Sequence, residues 1–308
     1  MDNLTHSLTG VLLARMGLKK LTGRATATLV IAANLPDIDA VATVLGTQSL
    51  AIRRGLTHGP IALALLPLIL TGLVLLWNRW RPAQQPVRPA MLLLCAYIGT
   101  ISHPALDWLN SYGIRLLEPF SSTWYAGDTL FIIDVWVWAT LIGCWWWSRR
   151  REKRGGDWQR PAWLGFTAIG AYILVNGLIT GRAESQTTAA LRQDGIQSTL
   201  VVANPVPLNP LRRTMLWRSD SLYGQRQYFE PLGLSTSTMK PESLDLYHPA
   251  LAAARGRGDV ESFLFWSRMP IVIERDGVTY LADQRFDSEL TRGQFRVPLT
   301  LRPLTSRP

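Results

Sequence analysis

The sequence predicts a mainly α, polytopic transmembrane bundle of five to six helices, followed by a smaller, mostly β extramembrane domain. Three observations carry this. Several apolar runs of membrane length crowd residues 1–181, whereas residues 182–308 look like a soluble domain. Basic residues gather in every second loop between the apolar runs. Three of the four histidines, with five aspartates, sit in or beside those runs, where an ionisable group is costly unless paired or bound to an ion.

The first apolar stretch, residues 4–18, is too short to cross alone and reads as a partial span covered by its neighbours. Residues 25–45 form the second, with Asp37 and Asp39 in its later half. Residues 59–77 are the clearest span: nineteen residues without a charge, about 28 Å of helix at ~1.5 Å per residue. Residues 90–108 carry His103 and Asp107 near their end, 129–147 carry Asp134 near their start, and 162–180 are again uncharged. Cys95 and Cys144 fall inside such runs without Cys-x-x-Cys spacing and read as packing residues. The start, Met-Asp-Asn-Leu-Thr-His, lacks the basic n-region of a cleavable signal.

Lys19, Lys20 and Arg24, then Arg79, Arg81 and Arg88, then Arg149 to Arg154 with Arg160, occupy alternate loops, which the positive-inside rule assigns to the cytoplasm. The net charge of +10 is therefore read as membrane topology, and no nucleic-acid partner is expected. The same alternation sends His6, Asp37, Asp39, His58, His103, Asp107, Asp128 and Asp134 to the opposite, outer half of the bundle. The C-terminal domain would also emerge there. In it, residues 198–203, 228–231, 262–267, 271–275 and 278–282 read as strands, with Asp276-Gly277 as a hairpin turn. Pro205, Pro207 and Pro210 mark a loop, and His248 reads as an ordinary surface residue.

The motifs follow in order. Thr5-His6-Ser7 opens the first apolar helix. In Asn34-Leu35-Pro36-Asp37-Ile38-Asp39, the proline breaks the helix so that two carboxylates can aim at one point. Otherwise the pair belongs to a solvated interhelical turn. Arg53-Arg54-Gly55-Leu56-Thr57-His58-Gly59-Pro60 offers one imidazole and two cations suited to an anionic substrate, or to an interface anchor. His103 and Asp107, four apart, share one helix face, as two ligands or as a ligand and its orienting carboxylate. Asp128 can cap the helix that follows, whereas Asp134, between Ile133 and Val135, has no such role to explain it.

These five ordered motifs, within about residues 1–150, resemble the YdjM-like family of bacterial inner-membrane, metal-dependent hydrolases. One departure is Arg53, which stands where relatives carry His and removes one possible ligand. The resemblance implies a multi-pass inner-membrane hydrolase holding one to three divalent ions, with zinc the first expectation. His6, Asp37, Asp39, His58, His103, Asp107 and Asp134 are the candidate ligands. Asp37 or Asp128 is the candidate general base, and Arg53, Arg54 and Arg115 are candidate contacts for a substrate phosphate. The expected reaction is attack of metal-activated water on an ester or phosphoester of a lipid or other amphiphile. The alternatives are a metal or proton transporter, and a non-catalytic anchor presenting the C-terminal domain; no internal inverted symmetry supports the former.

Overall fold

The computed structural model describes residues 1–238, 240–287, 291 and 293–300. The chain divides into two compact units. One comprises Met1–Ala40, Arg54–Ile179 and Pro205–Pro210; the other comprises Val41–Arg53, Thr180–Asn204 and Leu211–Pro308.

The first unit is helical. Helix α1 (Asn3–Arg15) starts where the Asp2 carboxylate accepts from the amides of Leu4 and Thr5 at 3.0 and 3.1 Å, an N-cap that fixes the register of His6 one turn later. Helix α2 (Ala25–Ala32) lies between α1 and α5 (Pro89–Asp107). Gly10 of α1 and Gly99 of α5 make this possible. A Cβ on Gly10 would stand 2.8 Å from the Leu29 carbonyl oxygen, and one on Gly99 would stand 2.7 Å from the Ala32 Cβ. Small residues at such crossings let backbones touch, the usual way helices associate in lipid. Beyond α2 the chain tightens into a 3-10 segment (Leu35–Gln48), then α3 (Ser49–Ile52), and turns through Leu56–His58 into α4 (Pro60–Trp80). Helix α6 (Val135–Lys153) and the start of α7 (Gln159–Gln193) complete the unit.

Four stretches among the described residues are long and apolar enough to cross a membrane: Ala25–Ile52, Pro60–Trp80, Pro89–Asp107 and Gln159–Gln193. The expected count of five to six is not confirmed: α6 begins at Val135, not at residue 129, and is not among these four. The amides of Thr129 and Leu130 donate instead to the Leu109 carbonyl. Thirteen apolar residues precede the basic run of α6, and α6 carries the chain back to the basic loops, where Glu152 pairs with Arg15 and Lys19. Leu65, Ile69, Leu73 and Leu76 of α4 and Leu164, Leu174 and Leu178 of α7 are exposed, as lipid-facing rows should be. The basic loops also come together. Gly23 donates to Pro86 at 2.9 Å, Arg88 donates to Thr22 at 2.7 Å, and Lys20 reaches Gln159 at 2.9 Å.

The second unit is mostly β. Strands β1 (Leu200–Val206), β2 (Asn209–Arg218), β3 (Leu222–Phe229) and β4 (Gly233–Thr238) form one sheet in that order, with β5 (Glu242–Ser243) on β3. Strands β6 (Pro270–Arg275), β7 (Val278–Asp283) and β8 (Arg296–Pro298) form a second. Asp276 and Gly277, at φ 52° and 69°, make the expected tight turn between β6 and β7. Two expectations fail. Pro205 and Pro210 lie within β1 and β2, not in a loop. Residues 262–267 belong mainly to helix α9 (Gly258–Trp266), because Val260, Phe263 and Trp266, three apart, bury one helical face. Trp266 stacks on Phe286 and Phe295 at 5.4 and 5.2 Å. His248 caps the short helix α8 (Pro249–Ala254), its Nδ1 accepting from Ala250 at 3.1 Å.

The core of this unit holds one ion pair without solvent access. Asp283 accepts from the Arg285 guanidinium at 2.8 and 2.9 Å and from the Ser267 hydroxyl. Burial alone would raise the Asp283 carboxyl, but the Arg285 charge and these donors hold it below its ordinary value. The ionised form therefore stabilises the fold above about pH 4, the ordinary carboxylate value. That contribution disappears as pH falls through the lower folded value. Asp283→Asn, which strands a buried guanidinium, should cost about 3–5 kcal/mol in denaturant unfolding followed by Trp266 fluorescence. A loss under 1 kcal/mol would contradict the assignment.

Candidate metal centre

Four ligand atoms converge at the end of α5: one oxygen each of Asp37 and Asp107 and one nitrogen each of His58 and His103, all within 4.8 Å of one another. His58, His103 and Asp107 are fully enclosed. His103 and Asp107 come from successive turns of α5, as their spacing predicts, with His103 Nε2 3.5 Å from Asp107 Oδ2. His58 arrives from the turn before α4, 3.6 Å from the same oxygen. Asp37 Oδ1 stands 3.7 Å from His103 Nε2.

The hydrogen bonds fix which imidazole nitrogens face the centre. His103 Nδ1 lies 2.7 Å from the Ala33 carbonyl, an acceptor only, so Nδ1 carries the proton and Nε2 the lone pair. The Thr57 hydroxyl donates to Asp39 Oδ2 at 2.8 Å, so Thr57 Oγ1 must accept from His58 Nδ1 at 2.9 Å. His58 Nε2 is therefore also a bare lone pair. Burial keeps this imidazole below its usual pKa despite the neighbouring Asp39. The two Nε2 atoms face each other at 3.1 Å with no proton left to join them. Ligands on adjacent positions of one ion, each at about 2.0–2.1 Å, stand roughly 3.0–3.4 Å apart. Two imidazoles and two carboxylates at this spacing fit a divalent cation.

Asp37 and Asp39 do not aim at one point. They lie in a 3-10 segment, where two residues rotate the side chain by about two thirds of a turn. Asp37 faces His103, while Asp39 accepts from the Arg54 amide at 2.7 Å and from Thr57. Asp39 thus orients His58 from behind, the position that carboxylates often occupy around metal-bound histidines. Asn34, from the same motif, donates to Ser7 at 3.0 Å and so ties the first motif to the second.

The remaining candidates fall into place around this quartet. His6 is fully buried and stacks on His103, with ring centroids 3.8 Å apart and planes at 19°. Its Nε2 lies 3.3 Å from Asp107 Oδ1, the oxygen that also pairs with the Met1 amino group. Arg54 turns inward: Nε meets Asp107 Oδ2 at 3.0 Å, Nη1 donates to Asn110 at 3.1 Å, and the guanidinium covers the Tyr112 ring. Arg115 is buried against Glu118 and Trp124. Arg53 closes α3 and belongs to the other unit. Asp128 is buried in a loop whose neighbours bind the carbonyls of Trp108 and Leu109, directly after Asp107. Asp134, for which the sequence offered no capping role, is the N-cap of α6. One oxygen accepts from the amides of Trp136 and Val137 at 3.0 and 3.1 Å, the other from the Tyr172 hydroxyl at 3.0 Å. Sequence reasoning did not single out Asn110 or the Ala33 carbonyl. The three-residue step from Asp107 to Asn110, one helical turn, was the available signal for the former.

Four membrane-length apolar stretches and a largely buried His/Asp cluster define a helical membrane protein with a candidate divalent-ion site. The YdjM inner membrane protein family matches residues 1–183, more than half of the chain, and the chain belongs to that family. The match extends past the motifs that first suggested it, through α6 and into α7. No curated protein and no solved structure matches the chain.

The division of labour between the aspartates is open to measurement. Asp39→Asn should weaken any divalent-ion binding at this cluster about 10- to 100-fold, the usual cost of losing a carboxylate behind a ligand. Asp134→Asn, which retains a good capping side chain, should leave it unchanged. Equal losses in competition titrations against a chelating dye would mean that Asp134 also reaches the ion.

Proposed function

We propose that the chain is a membrane-bound, divalent-metal-dependent hydrolase acting on an ester or phosphoester of a lipid or amphiphile. Zinc is the first candidate for the ion, with Asp37, His58, His103 and Asp107 holding it. The observation that carries this reading is the pair of Nε2 atoms facing each other at 3.1 Å, on two fully buried imidazoles whose Nδ1 atoms are already engaged. Asp107 is paired with Arg54 and the Met1 amino group, and a cation among the four ligand atoms would offset the repulsion between the two lone pairs and the Asp37 carboxylate.

A bound ion would polarise the scissile bond and lower the pKa of water toward neutrality. The chain supplies the rest. Asp39 and Thr57 hold His58 in its reactive tautomer, and the Ala33 carbonyl does the same for His103. Asp128, a carboxylate outside the quartet, is our candidate for the general base. Arg54 and Arg115 contribute positive potential for an anionic group, and Arg54 also fixes Asp107. Ile38, between the two aspartates, and Leu56, two residues before His58, are 51% and 62% exposed. Apolar side chains flanking ligands suit a substrate that arrives from lipid. The family's inner-membrane assignment and the positive-inside rule support an outward-facing site and an extracytoplasmic C-terminal unit.

Protein purified in detergent should carry zinc or manganese near one equivalent or more. His103→Ala and Asp107→Ala should lose the ion and lipid-ester or phosphodiester hydrolysis together while retaining helical circular dichroism. Folded wild-type protein that refuses both ions would exclude the proposal. A periplasm-dependent phosphatase reporter fused at the C-terminal end should be active; activity only from a cytoplasmic reporter would reverse the orientation.

A further inference from the structure

The opposite end of the first unit holds a second polar feature that the hydrolase reading does not use. A cavity of about 440 Å³ opens there, walled by Lys19, Lys20 and Arg24, with Glu152 and Trp158 across from them. Its floor is the first turn of α2, Ala25 to Ala27, a helix start without a side-chain cap. Orphan amides at such a start favour an anion.

The charges there do not cancel. Glu152 is the only carboxylate in the wall among the described residues, and it is already shared by Arg15 and Lys19. Lys20 donates to the neutral Gln159, and Arg24 to the Arg81 carbonyl. Arg24 Nε is enclosed without a hydrogen-bond partner among the described residues. Lys19 and Lys20 stand 4.0 and 4.9 Å from the Trp158 ring centroid, and Arg24 stands 4.3 Å from that of Trp77.

The depth of the cavity identifies the anion's source. Ala25 begins one membrane-length stretch, Trp158 immediately precedes another, and Gln85 lies between the end of a third and the start of a fourth. Ends of spanning segments, marked by tryptophans and lysines, lie at the level of lipid headgroups. We propose that this cavity binds the phosphate of an anionic phospholipid headgroup, gripped by Lys19, Lys20 and Arg24 over the start of α2. A choline headgroup would bring a second cation into a cationic wall, so phosphatidylglycerol is favoured over phosphatidylcholine.

The test uses full-length protein in nanodiscs, with bound lipid counted by native mass spectrometry. Wild type should retain phosphatidylglycerol in preference to phosphatidylcholine. Lys20→Gln with Arg24→Asn, asparagine being tolerant of the left-handed backbone at φ 67°, should reduce that preference about 25-fold, or fivefold for each charge near the headgroups. Arg149→Gln with Arg150→Gln removes the same charge from the exposed end of α6 and should have less than a fivefold effect. Equal effects of the two pairs would mean a diffuse surface field and overturn the site. Wild type without preference would overturn it as well. Stabilisation by inorganic phosphate equal to that by phosphatidylglycerol would assign the cavity to a soluble anion and overturn the lipid.

Discussion

The backbone of α2 is pressed from both sides, by Gly10 of α1 and by Gly99 of α5, and the centre depends on that contact. Each glycine lies four residues from a histidine, Gly10 after His6 and Gly99 before His103, so one helical turn separates the point of closest approach from the ring. With the helices this close, the His103 ring reaches the Ala33 carbonyl that ends α2, and His6 stacks on its other face. A side chain at either glycine would have to push apart backbone atoms that now stand in contact. The misplacement would propagate directly to the imidazoles.

From there the order is passed outward by hydrogen bonds, not by packing alone. Ala33 sets one tautomer; Asp39, through Thr57, sets the other. Asp107 joins the two sides, with one oxygen toward His58, His103 and Arg54 and the other toward His6 and the Met1 amino group. In a low-dielectric interior such a network is either fully satisfied or expensive. Its arrangement therefore constrains what can occupy the middle more tightly than any single ligand does. Arg54 illustrates this: an arginine that a sequence reader would point at substrate is bound to Asp107, Asn110 and the face of Tyr112.

Much of this was legible in the chain. The apolar runs located the helices, and the i, i+4 spacing of His103 and Asp107 predicted their shared face. Alternating loop charge alone gathers the motifs at one end. What the sequence could not reveal depended on contacts between distant segments. The apolar run starting at Thr129 points to Asp128 as the cap and leaves Asp134 without a role, whereas Asp134 is the cap. The choice was made by the Leu109 carbonyl, which draws the amides of Thr129 and Leu130 out of the helix. Likewise, the separation of Asp37 from Asp39 follows from a change of helix type after α2 that proline permits without specifying. In residues 262–267, alternating and three-residue patterns coexist, and the aromatic stack around Trp266 selected the helix.

The pairing of His6 with Asp107 also sets an order of events during synthesis. Helix α1 spans thirteen residues, too few to hold itself across a bilayer, and it carries an imidazole that lipid would not welcome. The carboxylate that receives it is made about a hundred residues later, some 5–20 s at ordinary elongation rates of about 5–20 residues per second. In the meantime α1 has neither the length to anchor itself nor a partner for its polar face. Helix α1 is thus made well before the residue that satisfies its imidazole, and the His/Asp cluster closes only once α5 has been added.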